Sequence, residues 1–248
     1  MVASEKIAVC LIFLLSIIQN TVKGQDTTVI KPYIHETAGF LDLNGYYDTR
    51  NFSIATINIL SKLPNRFEYF SLTNYQGGKG TSDLSSFYTE QNVRWKPLRK
   101  IPVNLTAQLV IRGGTSNDNV YLGFLWKPGD MRGLGPFLKK INLYYFINVH
   151  VVKLSEFDRP RYMRQLEHVY KLSVLPKLLH NRVYLAGFAD QNIEYPGNGK
   201  VTFKWVTEHQ LSVMLLSQFY IVAEYRINEF LLKEQSGVGY GLQYIIVY

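Results

Sequence analysis

The stretch GVGYGLQYIIVY, Gly237 to Tyr248, decides the fold. Its even positions from Val238 onward are large and apolar or aromatic: Val238, Tyr240, Leu242, Tyr244, Ile246 and Tyr248. The odd positions begin with Gly239, Gly241 and Gln243, which are small or polar. Successive side chains of a strand point to opposite faces, so this segment has one greasy face and one face of little bulk. A soluble sandwich strand can alternate in the same way. Two glycines and a glutamine fill a packed core poorly, however, and they suit the wall of a water-filled lumen. A lipid-facing exterior around a polar interior is the arrangement of a transmembrane β-barrel. The chain stops on an aromatic residue, Tyr248, which fits that expectation.

Working back from this strand, turn-like clusters divide the chain into about twelve segments close to the ~10 residues of barrel strands. The segments are Phe40 to Tyr47, Phe52 to Leu60, Arg66 to Tyr75, Phe87 to Trp95, Asn104 to Gly113 and Asn119 to Trp126. They continue with Asn142 to Val151, Gln165 to Leu175, Arg182 to Asp190, Lys200 to Thr207, Tyr220 to Phe230 and the closing strand. In Asn104 to Gly113, Leu105, Ala107, Leu109 and Ile111 form one face, against Thr106, Gln108 and Arg112. Val120, Leu122, Phe124 and Trp126 form the apolar face of the next segment. Helical rivals exist at Arg161 to Val174 and Glu208 to Tyr220. The first reads as a strand, because Leu166, Tyr170, Leu172 and Val174 share one strand face interrupted by His168, while Ser173 breaks the helical spacing. The second stays open. The expected fold is therefore all-β: a closed antiparallel transmembrane barrel of about twelve strands over residues 37–248.

Composition agrees. Eighteen Tyr, fourteen Phe and three Trp are many for 248 residues, and membrane barrels place such rings at both interfaces. After residue 24 no run of 18 apolar residues occurs, so no helical span is expected; a barrel needs none, since its strands satisfy their backbone groups by pairing. The formal charge is +8. No run of Lys and Arg forms a nucleic-acid stripe. Basic residues gather instead near turns, as at Lys96, Arg99 and Lys100 or Lys139 and Lys140, where they suit anionic lipid head groups.

Residues 1–24 differ from the rest. Lys6 sits in a short polar head, and Ile7 to Ile18 is apolar apart from Ser16. Val22 and Gly24 stand where a signal peptidase reads, so the segment has the form of a secretory signal. Its apolar run is too short for a spanning helix, which needs about 20 residues. Residues 25–36 form a loose lead into the barrel. Cys10 is the only cysteine and lies within the signal, which leaves no thiol or disulfide in an exported chain.

With the apolar faces toward lipid, the intervening residues line the lumen. The candidates for solute contact are Glu90 and Arg94, then Arg112, His150, Lys204 and Glu208, and finally Glu224 and Arg226. Asn92, Gln108, Asn148, Asn228 and Gln243 lie on the same faces. Opposite charges on neighbouring walls would select solutes by charge and hydrogen bonding. Alternatively these groups pair with one another and fill the barrel. Eight strands are filled by their own side chains and sixteen leave an open channel, so twelve lies between.

Catalytic constellations are missing from the sequence. His209 and Ser212, three apart, point to opposite faces of a strand. There is no Gly-x-Ser-x-Gly elbow and no His-Glu-x-x-His pair, so neither an enzyme, a metal nor a cofactor is expected. Gln76-Gly77-Gly78-Lys79-Gly80 lacks the spacing of a phosphate-binding loop.

Two runs near the end of the chain resemble a known family. Trp205-Val206-Thr207-Glu208-His209-Gln210 is followed by Ile221-Val222-Ala223-Glu224-Tyr225-Arg226-Ile227-Asn228-Glu229-Phe230, and then by the glycine-punctuated last strand. This resembles the nucleoside-specific, Tsx-type outer-membrane channels of diderm bacteria and their relatives. Phe87-Tyr88-Thr89-Glu90-Gln91 and Phe70-Ser71-Leu72-Thr73-Asn74-Tyr75 look like the matching upstream strands. His209 departs from the usual proline, and Val222-Ala223 replaces a small Gly-Ser/Thr pair. The resemblance covers about forty residues at the end and otherwise concerns layout. It implies a monomeric twelve-stranded barrel whose narrow lumen passes nucleosides. The expected function is passive uptake of a small polar solute across the outer membrane, with outer-membrane lipid and the solute as partners. Two rivals remain: a non-conducting structural or receptor barrel, and a soluble exported barrel that binds an apolar ligand with its apolar faces inward.

Overall fold

Phe40 pairs with Val247 and Asp48 with Gly239, so the first strand and the last lie side by side, antiparallel, and close the sheet on itself. In the computed structural model, residues 39–78, 84, 86–113, 118–155, 162–195 and 199–248 are described. Residues 1–24, read as a signal, and the lead 25–36 lie outside them, as do parts of the turns expected after Gln76, Gly113, Ser155 and Tyr195.

The strands are β1 (Gly39–Asp48), β2 (Phe52–Leu63), β3 (Phe67–Gln76), β4 (Ser86–Trp95), β5 (Val103–Arg112) and β6 (Asn119–Trp126). They continue as β7 (Leu143–Ser155), β8 (Tyr162–Ser173), β9 (Val183–Tyr195), β10 (Thr202–Leu216), β11 (Phe219–Asn228) and β12 (Ser236–Val247). Each pairs with its neighbours in sequence, and the β1–β12 pair completes a closed barrel of twelve strands. Closure removes the exposed edges that an open sheet would present.

Some boundaries differ from the sequence reading. Within Arg161 to Val174, the residues Tyr162–Ser173 form a strand, β8. The open segment Glu208 to Tyr220 is the second half of β10, a two-residue turn and the start of β11. β10 therefore runs nine residues past Thr207, because Leu211 and Val213 point outward while Gln210 and Ser212 point inward. β9 reaches Tyr195 rather than Asp190; Gln191 and Asn192, which look like turn residues, pair with Trp205 and Lys204 of β10. The long connection after β6 holds a short helix, α1 (Leu134–Lys140), with Lys139 and Lys140 in its last turn, where they complement the helix dipole. Among the described residues no helix is long and apolar enough to cross a membrane.

The barrel is inverted relative to a water-soluble core. Its buried side chains are largely polar, among them Asn44, Asp48, Asn92, Arg94, Gln108, Asn148, His150, Ser212, Glu224 and Gln243. Its exposed side chains include Leu43, Leu105, Leu122, Phe124, Leu211, Ile221, Tyr225, Tyr240, Leu242 and Tyr244. Soluble proteins rarely expose a continuous apolar surface on this scale. A few polar side chains do face outward, and they bond to each other. The Tyr145 hydroxyl meets His168 Nδ1 and the Tyr170 hydroxyl meets His209 Nδ1, both at 2.8 Å. Tyr69 bonds Gln91, which donates to Thr89 at 2.6 Å. Such pairing lowers the cost of polar groups on an apolar wall.

Candidate lumen and its charged lining

Inside the barrel a cavity of about 1380 Å³ is lined from Phe40, Glu68 and Ile245, at the end where β1 begins and β12 finishes, to Gly77, Gly78, Leu231 and Lys233 at the opposite end. It exceeds the roughly 300–1,000 Å³ of pockets that hold drug-sized ligands. Strand alternation sets its lining, because β1 to β5 turn their even-numbered residues inward and β12 its odd-numbered ones. Gly237, Gly239 and Gly241 thus face inward, as the alternation implies, but they do not leave empty space. A Cβ on Gly237 would lie 2.3 Å from Arg50 Nε, the Tyr46 side chain packs close to Gly239, and a Cβ on Gly241 would meet the backbone of Gly45. The small face of β12 makes room for Tyr46 and Arg50.

The candidate residues fall into two groups. Glu90, Arg94, Arg112, Glu208 and Arg226 line the open cavity, with Gln108, Asn228 and Gln243. Asn92, Asn148, His150 and Glu224 also lie inside, but each is at most 1% exposed and packed beneath its neighbours. Lys204 stands two residues from the start of β10, 3.9 Å from Glu194 and above the Phe230 ring.

Three networks organise the lining. In the first, Asp42 accepts three amide donors: Gln243 Nε2 at 3.0 Å, Asn44 Nδ2 at 3.0 Å and Asn58 Nδ2 at 3.3 Å. It continues through Gln243 to Ser212, Gln210 and Tyr184, and the Tyr46 hydroxyl donates to Gln210 at 2.6 Å. In the second, Arg226 lies between Glu208, 3.3 Å away, and Glu224, which accepts from its Nε. Glu224 and Arg226 share a face of β11, as their spacing of two requires.

The third network joins the opposite wall. Glu90 accepts from the Tyr88 hydroxyl and, at 2.8 Å, from Gln108 Nε2. Asn148 accepts from Thr106 at 3.1 Å and donates to Glu167 at 3.1 Å, with His150 Nε2 3.7 Å from the same carboxylate. At the end where β1 begins, Glu68 pairs with Arg94 at 2.8 Å and Lys127 at 3.3 Å. Basic side chains also lie over rings: Lys171 over Tyr184 at 4.0 Å, Arg112 over Tyr88 at 5.1 Å and Lys153 over Tyr121 at 5.5 Å.

Asp42, Glu68, Glu167, Lys171 and Asp190 line the cavity yet were absent from the candidates drawn from the sequence. Glu167 was legible in principle, since it lies opposite the Leu166 and Tyr170 face. Asp190 stood at the expected end of its strand, Arg182 to Asp190, rather than in its middle. Among the described residues no three His, Cys, Asp or Glu side chains are grouped to hold a metal ion. His209 points outward and Ser212 inward, so the two form no pair.

No protein-family model matches the sequence, and neither does any curated protein. Among solved structures the chain is similar to KdgM porin, at 12% identity and a TM-score of 0.48, over 83% of this chain and 98% of that one. The same porin in complex with disordered oligogalacturonate matches at 12% identity and 0.47, with the same coverage. A triple mutant of Rhodopseudomonas blastica porin matches at 7% identity and 0.31, over 85% of this chain and 99% of that one.

Proposed function

We propose that this protein is an outer-membrane channel through which a small polar solute diffuses passively. One observation carries the reading: an inverted barrel, apolar outside and polar inside, surrounds a cavity lined from one end to the other. Exposed leucines and aromatic rings around the whole wall are costly in water and favourable in lipid. A soluble barrel holding an apolar ligand would turn those faces inward, and here the inward faces carry Asp, Glu, Arg, Asn and Gln.

The nucleoside preference implied by the Tsx-type resemblance is part of this proposal. The residues that carry it, Trp205 to Gln210 and Ile221 to Phe230, lie on β10 and β11 and the turn after β11, and they bring Glu208, Glu224 and Arg226 to the inner wall. Tyrosine rings and amide side chains around the cavity, Tyr88, Tyr121, Tyr184, Gln108 and Gln243, offer stacking and hydrogen bonding to a base and a ribose.

The test is single-channel recording of the refolded chain from residue 25 in a planar bilayer, repeated with added nucleosides. Discrete steps that nucleosides block are the expected result. Steps indifferent to nucleosides would keep the channel and remove the substrate. Insertion without conductance would leave the plugged barrel, in which the Glu90–Gln108 and Thr106–Asn148–Glu167 bonds close the path.

A further inference from the structure

The charges of this barrel are sorted along its strands. No Lys or Arg lies more than two residues from the end of any of the twelve strands. Arg94, Arg112, Lys153, Lys171, Lys204 and Arg226 all stand at that limit or nearer the end. Six acidic residues, in contrast, sit three or more residues inside a strand: Asp42, Glu90, Glu167, Asp190, Glu208 and Glu224. All six face the interior, and all but the deeply packed Glu224 line the cavity. Four of them lie on four consecutive strands, β8 to β11, with Glu167 directly opposite Asp190 in the register.

The basic groups do not cancel this waist. Arg226 reaches Glu208 and Glu224 from its place near the end of β11, one cation for two carboxylates. Asp42 is met by amides. Glu90, Glu167 and Asp190 make no ion pair with a Lys or Arg among the described residues; the nearest base is His150, beside Glu167. Arg94 and Lys127 are held by Glu68, and Arg50 by Asp48 at 2.7 Å. Arg112, Lys153 and Lys171 lie over tyrosines toward the strand ends.

A second observation points to a ligand. Oδ1 of Asp190 and Oε2 of Glu224 are buried with no hydrogen-bond partner, and Glu224 is only 1% exposed. A buried carboxylate oxygen without a donor is costly, and native structures supply it with a partner. No described side chain donates to these two atoms, and Asp190, which lines the cavity, is open to a partner from the lumen.

We propose that the middle of the lumen is a cation-preferring filter, formed by Glu167, Asp190, Glu208 and Glu224 with Glu90 on the facing wall. It admits small cations, inorganic or of the organic ammonium class, in preference to anions of the same size. Acidic side chains around a narrow pore lower the energy of a cation inside it and raise that of an anion. Arg226 stands directly opposite Glu208 in the register and offsets part of this charge, while the other basic groups lie toward the strand ends. This inference rests on the channel reading.

The test is the reversal potential of the refolded chain in a planar bilayer with a KCl gradient at pH 8, for the wild type, Asp190→Asn and Glu167→Gln. K⁺ permeates more readily than Cl⁻ in the wild type, and each variant shifts the reversal potential toward zero. Conductance with a Cl⁻ preference, or a K⁺ preference that both variants leave unchanged, would overturn the filter and leave the channel standing. Absence of any conductance would overturn both.

Discussion

Gly241 and Gly239 occupy the same face of β12 two residues apart, yet only Gly241 requires glycine. A Cβ on Gly241 would lie 1.9 Å from the backbone oxygen of Gly45 and 2.9 Å from Tyr46 Cα, whereas one on Gly239 would meet Tyr46 Cβ at 3.6 Å, an ordinary contact. Gly241→Ala must therefore push β12 from β1 at the seam that closes the barrel, at a cost of about 1–3 kcal/mol, as for other overpacked sites. Gly239→Ala should be neutral or stabilise by about 0.4–1 kcal/mol, since it only restricts the unfolded chain. Urea midpoints of the two variants refolded in detergent check this; equal midpoints would mean the seam has room that the geometry denies. The sequence shows two small residues on one face, but no pattern within β12 tells which of them touches backbone across the seam. That distinction depends on the register with β1, a contact about 200 residues away along the chain.

Whole strands were legible where alternation is clean and blurred where polar residues face outward. β5, β6 and β12 carry unbroken apolar outer faces, and their inside and outside follow from period two alone. β8 places His168 between Leu166 and Tyr170 on the outer wall, and β10 places His209 beside Leu211. Those residues broke the pattern, and so β10 was read as half its length. Their partners explain how an apolar wall accommodates them: each imidazole is bonded to a tyrosine hydroxyl of a neighbouring strand or of the strand beyond. Leu242 has no such partner; it is half exposed in the middle of β12, opposite Gly45 and Ile221. Leu242→Arg places a lone charge on the lipid face, at a cost of about 2–4 kcal/mol near the midplane of a bilayer. Leu242→Phe should insert normally. The readout is the folded fraction recovered in lipid vesicles, and normal recovery of Leu242→Arg would turn the assignment of outer and inner faces around.

At the scale of the whole molecule the sequence showed that the lumen would be polar, but not how its charges are distributed along the axis. Each acidic residue of the waist stands alone in the chain, with no second acidic residue beside it, as Asp42 does between Leu41 and Leu43. Only the pairing of twelve strands brings Glu167 opposite Asp190 and sets Glu208 beside Arg226. The same assembly makes the state of the lumen testable with thiols, because the only cysteine, Cys10, lies outside residues 25–248. Ala186 lines the cavity on β9, and Leu242 points away from it. In lipid vesicles, a small membrane-impermeant cationic thiol reagent should label Ala186→Cys and spare Leu242→Cys until detergent is added. An anionic reagent of equal size should label Ala186→Cys more slowly, since to reach it from the end where β12 begins it must pass the acidic middle of the lumen. If neither reagent reaches Ala186→Cys while both label the unfolded chain, the networks around Glu90 and Asn148 seal the barrel. The wall would then be a membrane barrel built on the same alternation, with no path through it.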